Sequence, residues 1–482
     1  MKILALLCML LTPAVVDDTA VQPLEQEADT SSVTLTLEDA LKIALSENIA
    51  VQVADKEIKR TTYAKRGTYA ALFPTVDASG AFQHAVKKQV VYFDGMDKFP
   101  GVGGSDQTGG DQNQTPSEQT QAASSSGDNK NNGMEMGRTY TWNAGFSASM
   151  PIINAQLWQS IRISADEVEL AVEKARGSRL ETVTSVKESY YAVLLAKAAN
   201  KVFEQVYENA CENLKVTESK YASQKASEME LLRAKTTVAN AIPDVYNSRN
   251  NIDLALWRLK AVMGVDLDMK IDVEGSLEDY AQTMFYDLHE HDQFDLAKNS
   301  SLRQMDMQIM EMKKSVQLNR LAYVPSVAAS FNYSWISMAN DFKFSEYKWN
   351  PYSTFGLSIQ IPILSGGKRY NAVKQSKMQM EQLQLQKVNA ERNMQIAVKS
   401  NLATMETNMN SYYAAESALE SARKGYDISA ESYKVGRSTL VELNDAMLAL
   451  SQTELLKYQS IHSFLVAKAS LEQQLGQDFI VE

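Results

Sequence analysis

Reactive and metal-binding side chains are scarce in this sequence. Its 482 residues include two cysteines and four histidines. His289 and His291 are two positions apart, which is not the spacing of a zinc-binding protease helix. The glycine-rich stretch 101–104 and the segment Ser365–Lys368 lack the spacing and context of nucleotide-binding loops. The residues therefore predict no catalytic site, no metal and no cofactor, and they do not favour an enzyme.

Excess basic charge and long apolar runs are missing as well. The 48 lysines and arginines are outnumbered by 59 aspartates and glutamates, which gives a net charge of −11 without any basic block. Nucleic-acid binding depends on basic groups that neutralise phosphates, so no nucleic-acid partner is expected. No stretch of the chain holds 18 or more consecutive apolar residues. Helical membrane spans are therefore not expected, although strands that enter a membrane remain compatible.

The N-terminus has the pattern of a signal peptide. Met1 and Lys2 form a basic start, Ile3–Leu11 is apolar, and Thr12–Ala14 ends in a small residue suited to cleavage. We assign residues 1–14 to the signal peptide, with a cleavage site up to about residue 20. Cys8 leaves lipidation of the N-terminus open. Cys211 would then be the single cysteine, which cannot form an intramolecular disulfide.

The chain contains an internal duplication. Pro74 and Pro325, each within an apolar–apolar–Pro–hydroxyl–Val segment, are 251 positions apart. Tyr221 and Tyr433 are 212 positions apart, as are the Glu-Leu pairs that begin at Glu230 and Glu442. Such self-similarity defines the architecture. We assign a first repeat to residues 34–264, a linker that forms an equatorial belt to 265–290, and a second repeat to 291–482. A polar, low-complexity loop at about 94–137 accounts for the extra length of the first repeat.

Each repeat carries two amphipathic strands, at about 74–92, 138–151, 325–337 and 352–362. Apolar residues alternate with small polar ones, and no charge lies on the apolar faces. The lengths fit the ~9–11 residues with which a tilted strand crosses a bilayer. Four strands cannot close a membrane barrel, which needs about eight, so the chain must oligomerise. The residues themselves leave the number of copies open.

Two long segments, Ala155–Tyr221 and Gly367–Tyr433, have 67 residues each and contain no proline. At about 1.5 Å per residue each helix would extend ~100 Å. Tyr412, Leu419, Tyr426 and Tyr433 recur every seven residues, which predicts a coiled-coil seam. Shorter helices are predicted at about Thr36–Ala71 and Ala226–Met263. The helix turns at about 222–226 and 434–439 should lie at the end away from the strands.

Three segments resemble the TolC-like outer-membrane efflux family: Leu35–Leu45, the prolines that precede the strands, and above all Tyr433–Ala446. The resemblance covers about residues 34–476. It implies an α+β fold in which a homotrimer forms a twelve-strand β-barrel in outer-membrane lipid. Long coiled-coil helices would continue it as a periplasmic α-barrel. The implied function is the exit duct of a tripartite efflux or type I secretion system. Its partners would be a periplasmic adaptor and an inner-membrane pump of the RND or ABC class.

The resemblance also implies site residues at the helix turns. Gate residues at the periplasmic entrance would be Glu442, Asp445, Tyr433, Glu230 and Arg437. Adaptor-docking positions would be Tyr221, Gly436, Ser438 and Leu440. The pattern departs from the family at one point, because Ser438 stands where the family has arginine and Arg437 precedes it. The cargo remains open.

Two alternatives stay open at this point. Glu442 and Asp445 are compatible with an ordinary solvated helix start, where the helix dipole favours acidic groups. The whole chain could instead be a trimeric coiled-coil stalk, structural or adhesive, with a membrane anchor. A stalk needs heptads but no duplicated pairs of amphipathic strands, so the duplication favours the channel.

Overall fold

The computed structural model describes residues 33–91, 134–282, 284 and 295–478. The expected signal peptide, His289, His291 and most of the polar loop lie outside these residues, as do the end of the linker and the start of the second repeat. The described elements are β1 (Val33–Leu35), α1 (Leu37–Glu47), α2 (Ile49–Ala70), β2 (Thr75–His84), β3 (Gln89–Val91), β4 (Met134–Met136), β5 (Tyr140–Ile153), α3 (Ala155–Ala222), α4 (Glu228–Met263), β6 (Ile271–Val273), α5 (Leu277–Ala281), α6 (Ser300–Leu321), β7 (Ser326–Ala339), β8 (Asn350–Gln360), α7 (Lys368–Lys434) and α8 (Leu440–Leu475).

The chain divides into two compact units. One unit comprises residues 1–54, 175–300 and 392–482, and the other comprises 55–174 and 301–391. The long helices α3 and α7 contribute residues to both units. Among the described helices, none is long and apolar enough to cross a membrane.

The second unit contains a four-stranded antiparallel sheet in the order β2-β5-β7-β8. Phe82 pairs with Trp142, and Phe146 pairs with Tyr333. The prediction of four strands is confirmed. The first strand ends at His84, whereas the sequence suggested an extension to residue 92, and the short hairpin β3–β4 follows. Within the described chain the outer edges of β2 and β8 have no strand partner.

Aromatic rings cluster at the end of β2 and the start of β5. The ring of Phe82 lies 4.4 Å from that of Trp142, and Tyr140 lies 5.4 Å from Phe342, centroid to centroid. Phe344 packs on Trp142 at 5.5 Å. Tyr and Trp side chains have an apolar body and a polar tip, which is why they are common at membrane–water interfaces. A cluster of such rings at one end of the strands is consistent with an interfacial position.

The first unit begins with the capping start expected at Thr36. The Asp39 N–H donates to Thr36 Oγ1 at 3.2 Å, and the Thr36 N–H donates to the Asp39 carboxylate at 3.3 Å. One continuous helix from Thr36 to Ala71 was expected. This expectation is wrong, because the helix is interrupted at Asn48, between α1 and α2. The Asn48 side-chain oxygen accepts the Ala50 N–H at 2.8 Å and thereby caps α2.

The break at Asn48 belongs to a joint that occurs in both repeats. The Asn48 amide donates to the Val262 carbonyl at 2.6 Å, two residues before Gly264. The Asn299 amide donates to the Gln474 carbonyl at 2.6 Å, two residues before Gly476. Both glycines have positive φ and end a helix. A Cβ on Gly264 would lie 2.5 Å from the Glu47 carbonyl oxygen, and one on Gly476 would overlap the Lys298 carbonyl.

We predict that Gly264→Ala and Gly476→Ala each lower the free energy of unfolding by at least about 2 kcal/mol. The left-handed backbone and the steric overlap both oppose a side chain there. Gly425→Ala is the matched control, because a Cβ at this helical glycine meets open space. It should stabilise the helix by about 0.5–1 kcal/mol. Circular dichroism during thermal unfolding measures both effects. Equal midpoints for Gly264→Ala and Gly425→Ala would refute the close approach at the joint.

Candidate gate at the helix turns

The helices that follow the two helix turns, α4 and α8, begin with the same kind of N-terminal cap. The Glu230 N–H donates to the Ser227 hydroxyl at 3.2 Å, while the Ser227 N–H donates to the Glu230 carboxylate at 3.1 Å. The second turn repeats the arrangement with Thr439 and Glu442, at 3.3 and 3.0 Å. Reciprocal capping of this kind satisfies two helix-end donors. The two glutamates that the resemblance assigns to the gate therefore also hold the starts of α4 and α8.

The two turns also reverse the chain with the same backbone geometry. In the second turn Gly436 has φ of 80°, and the Arg437 N–H donates to the Ser432 carbonyl at 2.8 Å. In the first turn Gln224 has φ of 59°, and the Lys225 N–H donates to the Lys220 carbonyl at 2.8 Å. A left-handed backbone suits glycine and strains a residue with a side chain. Gln224 thus adopts the conformation that Gly436 adopts without strain.

Tyr433 is buried between the repeats, with only 2% of its surface exposed. The Thr217 hydroxyl on α3 donates to the Asn213 carbonyl at 2.7 Å, which leaves its oxygen to accept from the Tyr433 hydroxyl at 2.8 Å. Burial raises the pKa of the Tyr433 phenol, and the negative charge of Glu230 raises it further. Tyr433 packs in an apolar cluster together with Ala234, Leu440 and Leu443.

Lys220, in the last turn of α3, approaches the same tyrosine from a second direction. Its ammonium nitrogen donates to the Tyr433 main-chain carbonyl and lies 3.7 Å from the centroid of the Tyr433 ring. Partial burial lowers the pKa of Lys220, and the nearby Glu230 carboxylate opposes this shift. The Tyr433 carbonyl also accepts the Gly436 N–H at 3.0 Å. The negative end of the helix dipole makes a cation at this end of α7 favourable.

The acidic pair lies on the exposed side of α8. Glu442 accepts hydrogen bonds from the Ser438 hydroxyl at 2.6 Å and from the Thr439 N–H. The Ser438 bond is the main cause that lowers the pKa of Glu442, because it favours the charged form. Asp445 is exposed and follows at i+3, hence on the same helix face. Its carboxylate has no hydrogen-bond or ion-pair partner among the described residues.

The other residues assigned from the sequence differ in their exposure. Arg437 is exposed, and its guanidinium has no ion pair within the described part of the chain. Tyr221 is 42% exposed, unlike its repeat partner Tyr433, and Gly436 is exposed too. Leu440 is 2% exposed, so its side chain belongs to the cluster around Tyr433 and offers no docking surface in this conformation.

Sequence reasoning missed Thr217 and Lys220, which make the contacts with Tyr433. It also missed Met229 and Val441, which stand at equivalent positions of the two repeats and are 60% and 47% exposed. The offset of 212 positions, applied to residues next to the turns, could have identified this last pair. In the described ranges no three His, Cys, Asp or Glu side chains are grouped so as to hold a metal ion.

Comparison with known proteins gives consistent matches. Residues 110–265 and 295–477, more than half of the chain, match the family described as outer membrane efflux protein. The outer membrane protein TolC of Salmonella enteritidis is 22% identical over 368 residues, which cover 71% of this chain and 73% of that protein.

Solved structures confirm the fold class predicted from the sequence. The crystal structure of CusC has a TM-score of 0.68 at 16% identity and covers 94% of this chain and 95% of that chain. The CmeC outer membrane channel of Campylobacter jejuni has a TM-score of 0.67 at 16% identity, with coverages of 94% and 90%. At this level of identity the likeness concerns the fold alone.

We predict that Gln224→Gly stabilises the backbone of the first turn and that Gly436→Ala destabilises the backbone of the second. Each change alters the cost of the left-handed backbone by about 1 kcal/mol, in opposite directions. Hydrogen–deuterium exchange of the turn amides should slow at 221–225 in the first variant and accelerate at 433–437 in the second. Faster exchange in Gln224→Gly would contradict the strain assigned to Gln224.

Proposed function

Because this chain belongs to the outer membrane efflux protein family and is an outer-membrane channel protein with a periplasmic helical part, we propose that it serves as an exit duct. The duct would receive substrates from a periplasmic adaptor and an inner-membrane pump and release them outside the cell. The observation that carries this proposal is the pair of helix turns, with their exposed acidic side chains and exposed apolar side chains. A stalk would account for the heptads but not for the four-stranded sheet.

The sheet supports assembly with further copies of this chain, and the family resemblance implies that there are three. Its two edge strands, β2 and β8, have unpaired outer edges within the described chain. A sheet that enters lipid must satisfy all its backbone groups, which only closure achieves. Three copies of four strands make twelve, enough for a membrane barrel, and β8 of one copy would pair with β2 of the next.

In such a trimer the acidic pair would form a ring. Three copies of Glu442 and Asp445 contribute six carboxylates around the axis. The repeat partner of Asp445 is Arg233, so the acidic pair belongs to the second turn alone. A ring of carboxylates favours cations and disfavours anions at a constriction. Within one chain the Ser438 hydroxyl lowers the pKa of Glu442 and so favours its charged form.

Adaptor docking is supported by the exposed apolar side chains at the turns. Met229 and Val441 follow the N-caps of α4 and α8, and Val435 lies directly before Gly436. Tyr221 adds an exposed aromatic ring. Apolar and aromatic side chains without cover in a single chain suit contact with a protein partner. Together with Gly436 and Ser438 they would form the surface that the adaptor contacts.

We predict that the combined change Glu442→Gln with Asp445→Asn reduces the cation selectivity of the purified channel at least about twofold. Removal of six carboxylates from the trimer weakens the attraction for cations. The measurement is the reversal potential in planar bilayers under a salt gradient. A charge-matched control, Glu218→Gln with Asp253→Asn, removes two exposed acids outside the acidic pair. Unchanged selectivity in the acidic-pair variant would refute the gate assignment.

The pH dependence provides a second readout. Because the Ser438 hydroxyl lowers the pKa of Glu442, the charge of Glu442 should persist to a lower pH with this hydroxyl than without it. Ser438→Ala removes the main cause of this shift, so selectivity should then decline at a higher pH. The same pH profile in wild type and Ser438→Ala would contradict the role given to the Ser438 hydroxyl.

The proposed partners can be tested in intact cells. After cross-linking, the tagged chain should recover a periplasmic adaptor together with an inner-membrane pump, identified by mass spectrometry. Met229→Asp with Val441→Asp should lower this recovery strongly, because charged groups cost free energy in an apolar contact. Ile428→Asp, a change at another exposed apolar residue, serves as the control. Failure of wild type to recover either partner from correctly inserted trimers would contradict the exit-duct function.

A further inference from the structure

Lys220 links the end of α3 in the first repeat to the end of α7 in the second repeat. Its ammonium group belongs to the last turn of α3, and its acceptor is a main-chain carbonyl in the last turn of α7. This carbonyl also accepts the Gly436 N–H at 3.0 Å, so Lys220 uses its second lone pair. It carries part of the negative end of the helix dipole. The bond therefore holds the backbone at the end of α7 directly, rather than a mobile side chain.

Tyr433 returns a contact in the opposite direction. Its hydroxyl bonds Thr217, one helical turn before Lys220 on α3. The ring of Tyr433 also lies beneath the Lys220 ammonium at 3.7 Å, a distance at which cation–π attraction contributes. Two hydrogen bonds and one ring contact thus fix α7 against α3 just before both turns.

This link has no repeat-related copy within the described chain. The position equivalent to Lys220 in the second repeat is Ser432, which has no ammonium group, and the equivalent of Tyr433 is the exposed Tyr221. Arg437 has no ion pair with any described residue, and Ser438 is engaged with Glu442. Lys220 is therefore the basic side chain that contacts the opposite turn at Tyr433.

We propose that Lys220 is the positioning residue that keeps the gate shut, by pinning the end of α7 to α3. Opening breaks the bond to the Tyr433 carbonyl and moves the ring of Tyr433 out of its contact with the ammonium group. This inference rests on the proposed channel function and adds the residue that regulates its gate. Once the bond is lost, the second turn, with Glu442 and Asp445, is free to move away from the axis.

The test compares channel currents in planar bilayers containing the purified full chain. Lys220→Met keeps the aliphatic length and removes the charge, so the open fraction should rise at least roughly fivefold at rest. Lys220→Arg keeps a cation that can donate and should retain the low open fraction of wild type. Lys225→Met is the matched control, because Lys225 is exposed in the same turn.

Thr217→Val provides an independent variant should Lys220→Met fold poorly. It removes the reciprocal bond with little change in side-chain shape, and it should raise the open fraction in the same direction. Circular dichroism should report similar unfolding midpoints for wild type and Lys220→Met, which separates gating from general instability.

Each outcome bears on a distinct claim. If wild type conducts with cation selectivity and Lys220→Met gives the same current, the proposed role of Lys220 is wrong, while the channel function stands. Equal opening by Lys220→Arg and Lys220→Met also refutes the role of Lys220, since a cation would then be irrelevant. A correctly inserted chain that never conducts, in wild type or variant, refutes both the channel function and the role of Lys220.

Discussion

An antiparallel sheet with two open edges is the constraint from which the rest of this molecule follows. Backbone donors and acceptors on β2 and β8 need partners, and inside lipid no water can supply them. Because one chain provides only four strands, closure requires further copies. The internal duplication then repeats each helix pair around the axis of such an assembly. A closed barrel is therefore the consequence of pairing the two open edges of this sheet.

The duplication is followed closely in the backbone and loosely in the side chains. The joints at Gly264 and Gly476 are the same structure built twice, and so are the caps at Glu230 and Glu442. The residues next to them have diverged, as Tyr433 is buried while its partner Tyr221 is exposed. Conserving the backbone of the repeat maintains the architecture. The changed side chains produce a contact between the repeats at Tyr433 that Tyr221 does not repeat, and the proposed gate depends on this asymmetry.

Periodic features were predictable from the sequence because they depend on the spacing of neighbours along the chain. Alternation from Tyr140 to Met150 indicated β5, and the absence of proline from Ala155 to Tyr221 indicated α3. The capping start at Thr36 follows a three-residue rule that is equally local. The predicted fold class rested on such signals together with the family resemblance.

Features that depend on distant partners could not be predicted in this way. The helix break at Asn48 is supported by Val262, which is 214 positions away. The positive φ of Gln224 is a strained state that propensity argues against, and the turn imposes it. Lys220 contacts Tyr433, 213 positions further on, and Leu440 is buried in the cluster around Tyr433, which no local sequence pattern indicates.

The most direct test of the central claim is electron cryomicroscopy of the full-length protein in lipid nanodiscs. The account predicts three copies whose strands close one twelve-strand barrel, with β8 of each copy paired to β2 of the next and the helix turns drawn together around a narrow axis. An open four-stranded sheet, or a closed barrel with any other number of strands, would contradict it.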